Sequence, residues 1–325
     1  MEEFIVKNGK RIYNRFFNNL KKKLTPASYY PNRILSEEEG NQLISEKLMS
    51  GKPYMVTRYG SVEINTIINY LEINELTQQL FYKRIISQIR GKSNIWQPKN
   101  CIEIERNAGF FPVNDHTLRK FAEYYIESSK HIDALGVWFN YGEQIIHNKF
   151  FPQAKLIPLR SIEPYYFGSP WSQYLKNKKV LVIHPFEKSI HQQFGIKNKL
   201  FHDKRILPDF QLITIKAIQS NSFNKTCFTN WFDALDNMKK QMEETDFDIA
   251  LIGAGAYGLP LAAYAKELGK QAIHFGGSLQ ILFGIKGQRW DSMPEINKLH
   301  NEHWIRPSQE ETPDEFRKVE DGCYW

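Results

Sequence analysis

The chain has 325 residues, 42% hydrophobic and 24% charged, a balance that excludes intrinsic disorder and suits one large α/β domain or two closely packed lobes. Its net charge of +7 calls for an anionic partner: nucleic acid, an anionic membrane or a phosphorylated substrate. Three scattered cysteines, Cys101, Cys227 and Cys323, make neither a CxxC pair nor a zinc pattern, no run approaches the ~18–20 apolar residues of a membrane span, and the N-terminus has no signal-peptide core, so a cytoplasmic protein is expected.

Residues 1–30 read as a basic arm. Lys7, Lys10, Arg11, Arg15, Lys21, Lys22 and Lys23 occur without an acid among them, interleaved with Ile12, Phe16, Phe17, Leu20 and Leu24 near helical spacing. Such a helix either lies peripherally on the inner face of an anionic membrane through residues 5–24 or docks on the protein with a solvated basic edge. Ser36 followed by Glu37, Glu38 and Glu39 predicts a helix running to about Met49 and stopping at Gly51. PYMVTRYG reads as a short strand and SVEINTIINYLE as a helix, with a second helix over about 76–91. NIWQ and an ERNAGFFP loop follow, then a helix from about Asp115 to Ser128, strands at HIDALGVWF and KLIPLR, and an aromatic, proline-containing loop over Ser161–Ser172.

From Lys178 onward strands and helices alternate. KVLVIHPF, FQLITIKA, DFDIALIG and QAIHFGG are strands, and SIHQQFGIKNKLF, NWFDALDNMKKQMEE and GAYGLPLAAYAKELG carry the helices between them. This alternation predicts an α/β fold, a mainly parallel Rossmann-like sheet with helices on both faces. The expected division is a basic arm (1–30), an N-terminal α/β lobe (31–175), a C-terminal Rossmann-like lobe (176–296) and a polar extension (297–325).

Gly253, Ala254, Gly255, Ala256, Tyr257 and Gly258 match GxGxxG between an apolar strand and a helix. Glycines there let helical N–H groups approach an anion, aided by the helix dipole, or merely let helix and strand pack closely. The dinucleotide version of this turn needs an acid at the end of the next strand, and QAIHFGG has none. An NAD(P)-dependent oxidoreductase is therefore the alternative reading rather than the leading one.

A second strand–turn–helix unit is Arg58, Tyr59, Gly60, Ser61, Val62 and Glu63. Arg58 suits two-pronged phosphate binding, and Glu63 suits a base or a metal ligand; Ser61 also suits a helix N-cap and Glu63 a first-turn acid. This unit resembles the Arg-x-Gly-Asp-Gly-Glu turn of bacterial GT-D type glycosyltransferases. IALIGAGAYGLPLAAYAKELGKQAIHFGGSLQILFG is similar to the second hallmark of that group, and LRSIEPYYFGSPW and KKVLVIHPF are similar to a GT-D-like subgroup from polysaccharide gene clusters. The resemblance brackets about residues 50–290. It implies a nucleotide-sugar-dependent transferase building a surface glycan, with a glycan or lipid-linked acceptor. It also implies an Asp-x-Glu pair holding Mn²⁺ or Mg²⁺ against the diphosphate. Here Glu63 keeps the Glu position and Ser61 replaces the Asp.

Other polar candidates follow from position. Glu105, Arg106 and Asn107 flank the apolar loop at Gly109–Pro112; Arg160 and Glu163 precede Tyr165, Tyr166 and Trp171; His184 and Lys216 end strands. Arg58, Gly60, Ser61, Asn107, Arg160, Lys216, the 253–258 turn, Gly276 and Gly277 are the expected diphosphate-binding set, and Glu63, Glu105, Glu163 and His184 the expected catalytic candidates. A catalytically weak nucleotide-sugar-binding protein in a glycan-assembly complex is a third reading, motivated by Ser61. Nucleic-acid binding has only the charge behind it, and no such partner is expected.

Overall fold

The computed structural model describes residues 30–325 apart from 31, 79–80, 90–94, 222–223 and 225. Most of the basic arm thus lies outside the described residues. Seven strands form one sheet: β1 (Tyr54–Thr57), β2 (Ala134–Val137), β3 (Lys155–Pro158), β4 (Lys179–His184), β5 (Gln211–Lys216), β6 (Ile249–Ile252) and β7 (Gln271–His274). Their order is β3-β2-β1-β7-β6-β4-β5, and every pairing is parallel. β1 lies directly against β7, with Met55 opposite Ala272, so both halves of the chain build a single sheet.

Parallel strands are covered on both faces, which is why β2, β6 and β7 are buried along their whole length. Side chains alternate between two cores. Leu181, Ile183, Ala250 and Ile252 face one core; Val180, Val182, Ile249 and Leu251 face the other. The first core gathers α2 (Ser61–Thr77), α5 (Asp115–Ser129), α8 (Trp231–Glu243) and α9 (Gly258–Glu267). The second gathers α1 (Glu37–Ser50), α7 (Glu187–Gly195) and the 3-10 turns around Trp171.

Local chemistry sets the element ends. Ser36 and Glu39 form a reciprocal capping box on α1, and Gly51 closes it in the left-handed conformation at φ 65. Asn114 and Thr117 form a second box on α5.

Three expectations need correction. The predicted helix over 76–91 splits: α2 runs on to Thr77 and a separate α3 occupies Phe81–Ile89. Residues ahead of the ERNAGFFP loop form a further helix, α4 (Pro98–Arg106), which no strong apolar period announces and which starts at Pro98, where the missing N–H costs nothing. Likewise α6 (Glu143–Phe150) starts after Gly142 at φ 85, a turn that its alternating composition hides. The polar extension packs on the fold: Trp304 stands against Phe201, Trp325 against Phe186, and Ile305 bridges to Ile285. No helix among the described residues is long and apolar enough to cross a membrane.

Candidate functional site

The carboxyl ends of β1, β7, β6, β4 and β5 open on one edge of the sheet, where parallel α/β folds place ligands. β1 delivers Arg58 to this edge, and α2 begins three residues later at Ser61. The Glu63 side chain folds back over the helix start, so a Cβ on Gly60 would lie 1.9 Å from its carboxyl oxygen. Glu63 is buried; burial raises its pKa, while its own backbone N–H and the Arg58 charge pull the other way.

Arg58 is held by its surroundings. Its Nε and Nη2 donate to the Tyr59 carbonyl at 3.1 and 2.9 Å, and its guanidinium stands 4.2 Å from the Trp138 ring centre. Trp138 follows β2 immediately, and its Nε1 donates to the same Tyr59 carbonyl at 3.0 Å. The loop that carries it is pinned by the buried Glu143 carboxylate. One oxygen of Glu143 accepts from the Tyr30 hydroxyl at 2.7 Å, Phe139 N–H at 3.1 Å and Trp138 N–H at 3.3 Å. Phe139 adopts φ 64, a left-handed conformation held by that carboxylate.

The glycine turn after β6 divides into two jobs. A Cβ on Gly253 would lie 2.6 Å from His184 Cδ2 and 2.8 Å from the Gly276 carbonyl; one on Gly258 would lie 2.2 Å from His274 Nε2. These two glycines serve close packing. Gly255, at φ 52, has only the Ala108 carbonyl nearby at 3.5 Å and faces open space. Tyr257 is fixed beneath the turn, stacked on Trp231 at 5.0 Å with its hydroxyl 2.9 Å from Ser220 Oγ.

Both turns line one cavity of about 360 Å³, walled by Arg58, Ser61, Glu63, Trp138, Gly255, Gly276 and Gly277. It continues past Asn107 and Gly255 into a narrower recess of about 70 Å³ beside His184, Gln219, Ser220, Tyr257 and Trp325. His184 Nδ1 accepts from Phe186 N–H at 3.0 Å, and burial holds the imidazole down at about 3. It is therefore neutral, with its N–H on Nε2. His274, also on the cavity wall, pairs through Nδ1 with Thr57 Oγ1 at 2.9 Å and is held at about 3 by burial and then by Arg58.

Six expected site residues line neither space: Ala256 and Gly258 are buried within the turn itself, and four others lie elsewhere. Arg160 pairs with Glu295 and lies 4.5 Å over the Tyr166 ring. Lys216 is exposed at the end of β5, and Glu105 sits on α4. Glu163 has its pKa pushed up to about 7 by burial, with the Ser278 hydroxyl and the charges of Arg58 and Arg160 opposing. Conversely, Trp138, Arg289, Glu320 and Tyr324 line the cavity without being singled out by the sequence. For Trp138 a signal existed, its place directly after a strand; the other three have no local motif.

The donor set does not fit a divalent cation. Of the two carboxylates on the cavity wall, Glu320 is already paired with Arg289, and Ser61 stands where a second ligand would be needed. No group of three or more metal-ligating side chains occurs among the described residues. With Arg58 and Arg289 on its wall, the cavity suits an anion.

No curated protein and no solved structure matches the chain. Residues 170–282 match a family model, GT-D-like, described as a GT-D fold-like domain; the stretch takes in β4 to β7 and the glycine turn, and leaves β1 and Arg58 outside. With that match and its seven-stranded parallel sheet, the chain carries a GT-D-like domain, of the glycosyltransferase type of fold.

Proposed function

We propose that the chain is a glycosyltransferase that moves a sugar from a nucleotide-sugar donor to a glycan or lipid-linked acceptor in bacterial surface-polysaccharide assembly. It would work in the cytoplasm, at the inner face of the membrane if residues 5–24 bind there. One observation carries the reading: Arg58 after β1 and Gly255 after β6, far apart in sequence, line the same cavity at the same edge of the sheet. An anion held there meets a guanidinium on one side and glycine backbone on the other.

In this reading the diphosphate lies between Arg58, Gly255 and Gly276, and the nucleoside lies in the recess beside Asn107, Gln219 and Trp325. Glu63 is the carboxylate placed to act as base, because it lines the cavity and burial makes it a better proton acceptor than an exposed Glu. The acceptor hydroxyl attacks the anomeric carbon, its proton passes to Glu63, the bond from that carbon to the phosphate oxygen breaks, and the nucleoside diphosphate leaves against Arg58. The exposed Phe139 and Tyr141, beside Trp138 at the rim, offer faces on which an acceptor sugar stacks. β7 ends at His274 and is followed by Phe275, Gly276 and Gly277, with no acid for the ribose of a nicotinamide cofactor.

The test is thermal stabilisation across a panel of nucleotide sugars, with NADH as the contrasting ligand. A ligand at a hundredfold over its Kd adds about 2.7 kcal/mol. A flat response to every nucleotide sugar overturns the reading, as does stabilisation by NADH alone. Hydrolysis or transfer from the donor that stabilises best then separates an enzyme from a binding protein.

A further inference from the structure

Arg289 belongs to a short helix, α10 (Gln288–Asp291), and its position depends on the last segment of the fold. Gln288 N–H donates to the Trp325 carbonyl at 3.0 Å, and Arg289 N–H to the Cys323 carbonyl at 2.9 Å. The guanidinium stands 5.0 Å from the Tyr324 ring centre and is ion-paired with Glu320. Tyr324 in turn needs Gly277, where a Cβ would lie 2.2 Å from its ring.

Glu320 reaches the cavity at a conformational cost. Glu320, Asp321 and Gly322 are consecutive residues with φ of 43, 59 and 82, and the first two are not glycine. Left-handed backbone at two adjacent side-chain-bearing residues persists only where surrounding contacts over-determine it, and such strain collects at clamps and switches. Here the strained turn delivers a carboxylate to a guanidinium on the wall of the proposed donor cavity. A second guanidinium, Arg58, lines the same wall, and the two like charges oppose each other. An arginine fork accepts a carboxylate or a phosphate in the same two-pronged geometry.

We propose that Glu320 is an internal substitute for a phosphate: it holds Arg289 until a diphosphate displaces it, and Arg289 and Arg58 then grip that diphosphate from two sides. The proposal rests on the donor-cavity reading above and adds to it a second arginine and a built-in competitor. The phosphate wins because it brings more negative charge than a carboxylate to two guanidiniums, and because release of Glu320 relaxes the left-handed turn. The competitor sets a threshold: an anion too weakly charged to engage both arginines does not repay the loss of the Glu320 pair.

The experiment titrates the full chain calorimetrically with inorganic pyrophosphate and with a panel of nucleoside diphosphates, at fixed low salt. Glu320→Gln keeps the side-chain shape and removes the competing charge, so diphosphate binding should tighten about tenfold. Arg289→Ala should weaken it about tenfold, and Arg289→Lys should fall between. The double variant Arg289→Ala with Glu320→Gln should bind like Arg289→Ala alone, because Glu320 acts only through Arg289. If either alanine or glutamine variant melts early, Arg289→Lys and Glu320→Asn, which is uncharged and tolerates the left-handed backbone, carry the same comparison. Wild-type binding that Glu320→Gln leaves unchanged or weakens overturns this inference and leaves the transferase reading standing. Failure of wild type to bind any diphosphate overturns both.

Discussion

The Arg58 guanidinium lies 4.2 Å from the centre of the Trp138 ring, and both side chains donate to one acceptor, the Tyr59 carbonyl. Two strands meet in that contact, since Arg58 follows β1 and Trp138 follows β2. The ring fixes where the positive charge sits. Trp138→Leu should weaken nucleotide-sugar binding about two- to fivefold, the value of one cation–π contact, without a change in fold. Arg58→Ala should remove the thermal response altogether. An unchanged response in Arg58→Ala would take Arg58 out of the site.

Glu143 supports that arrangement from below. Its removal strands the Tyr30 hydroxyl and the N–H groups of Trp138 and Phe139. Glu143→Ala should cost about 2–4 kcal/mol by denaturant unfolding, and Glu143→Gln, which keeps an acceptor oxygen, clearly less. Equal losses in the two variants would show that packing alone matters there.

The two roles of the glycine turn separate by substitution. Gly258→Ala drives a methyl into buried His274 and should destabilise by about 1–3 kcal/mol. Gly255→Ala meets nothing closer than 3.5 Å, so its stability cost is only that of a side chain at φ 52, about 1 kcal/mol. Its methyl faces the cavity, however, and should reduce diphosphate binding more than stability. Binding that survives Gly255→Ala would assign the whole turn to packing.

Two buried histidines set an acid limit. His184 and His274 are held at about 3, against an ordinary value near 6.5. Between those values the unfolded chain binds protons that the fold refuses, so stability falls as pH drops from about 6.5 toward 3. Glu163 works in reverse: raised to about 7, it favours the fold below the ordinary carboxylate range and loses that contribution as pH rises through 7. Melting curves should therefore show an acid slope that shrinks in His184→Gln and, because Glu163 opposes it between about 4.5 and 7, steepens in Glu163→Gln. An acid slope unchanged in both His184→Gln and His274→Gln would locate the proton uptake elsewhere.

With Arg58 and Arg289 on its wall and a poor ligand set, the cavity is expected to bind the proposed donor without a metal ion. Chelation with EDTA should leave the affinity for nucleotide sugars within about twofold, and added Mn²⁺ should not raise it. A tenfold gain on adding Mn²⁺ would mean that Glu63 and substrate phosphates complete a site after all.

The alternating half of the chain, from β4 to β7, was legible because buried parallel strands are short apolar runs flanked by turn residues, and each helix carries one apolar stripe. Arg58 and the 253–258 turn were legible for the same reason: each directly follows a strand. The helices at Pro98 and Glu143 were not, because both are short and their stability comes from packing rather than from a strong period. Arg289, Glu320 and Tyr324 were invisible for a different reason. Arg289 reaches the cavity from a four-residue helix, and Glu320 and Tyr324 through a 3-10 turn and left-handed residues, where position along the chain carries no rule about direction. Arg160 shows the converse error. Its place after β3 is right for a ligand, but Glu295 captures it first.

The pairing of β1 with β7 has a consequence for how the protein comes into being. Thr57 and His274, hydrogen-bonded across the binding edge, are 217 residues apart. On the ribosome Arg58 emerges long before the strand that must flank it, and closing so large a loop is entropically late. A nascent or C-terminally clipped chain would thus contain every residue of the first turn yet have no competence for ligand. On the proposed function, affinity should appear only once synthesis has passed β7, so that ligand capture would report that the two halves of the sheet have joined.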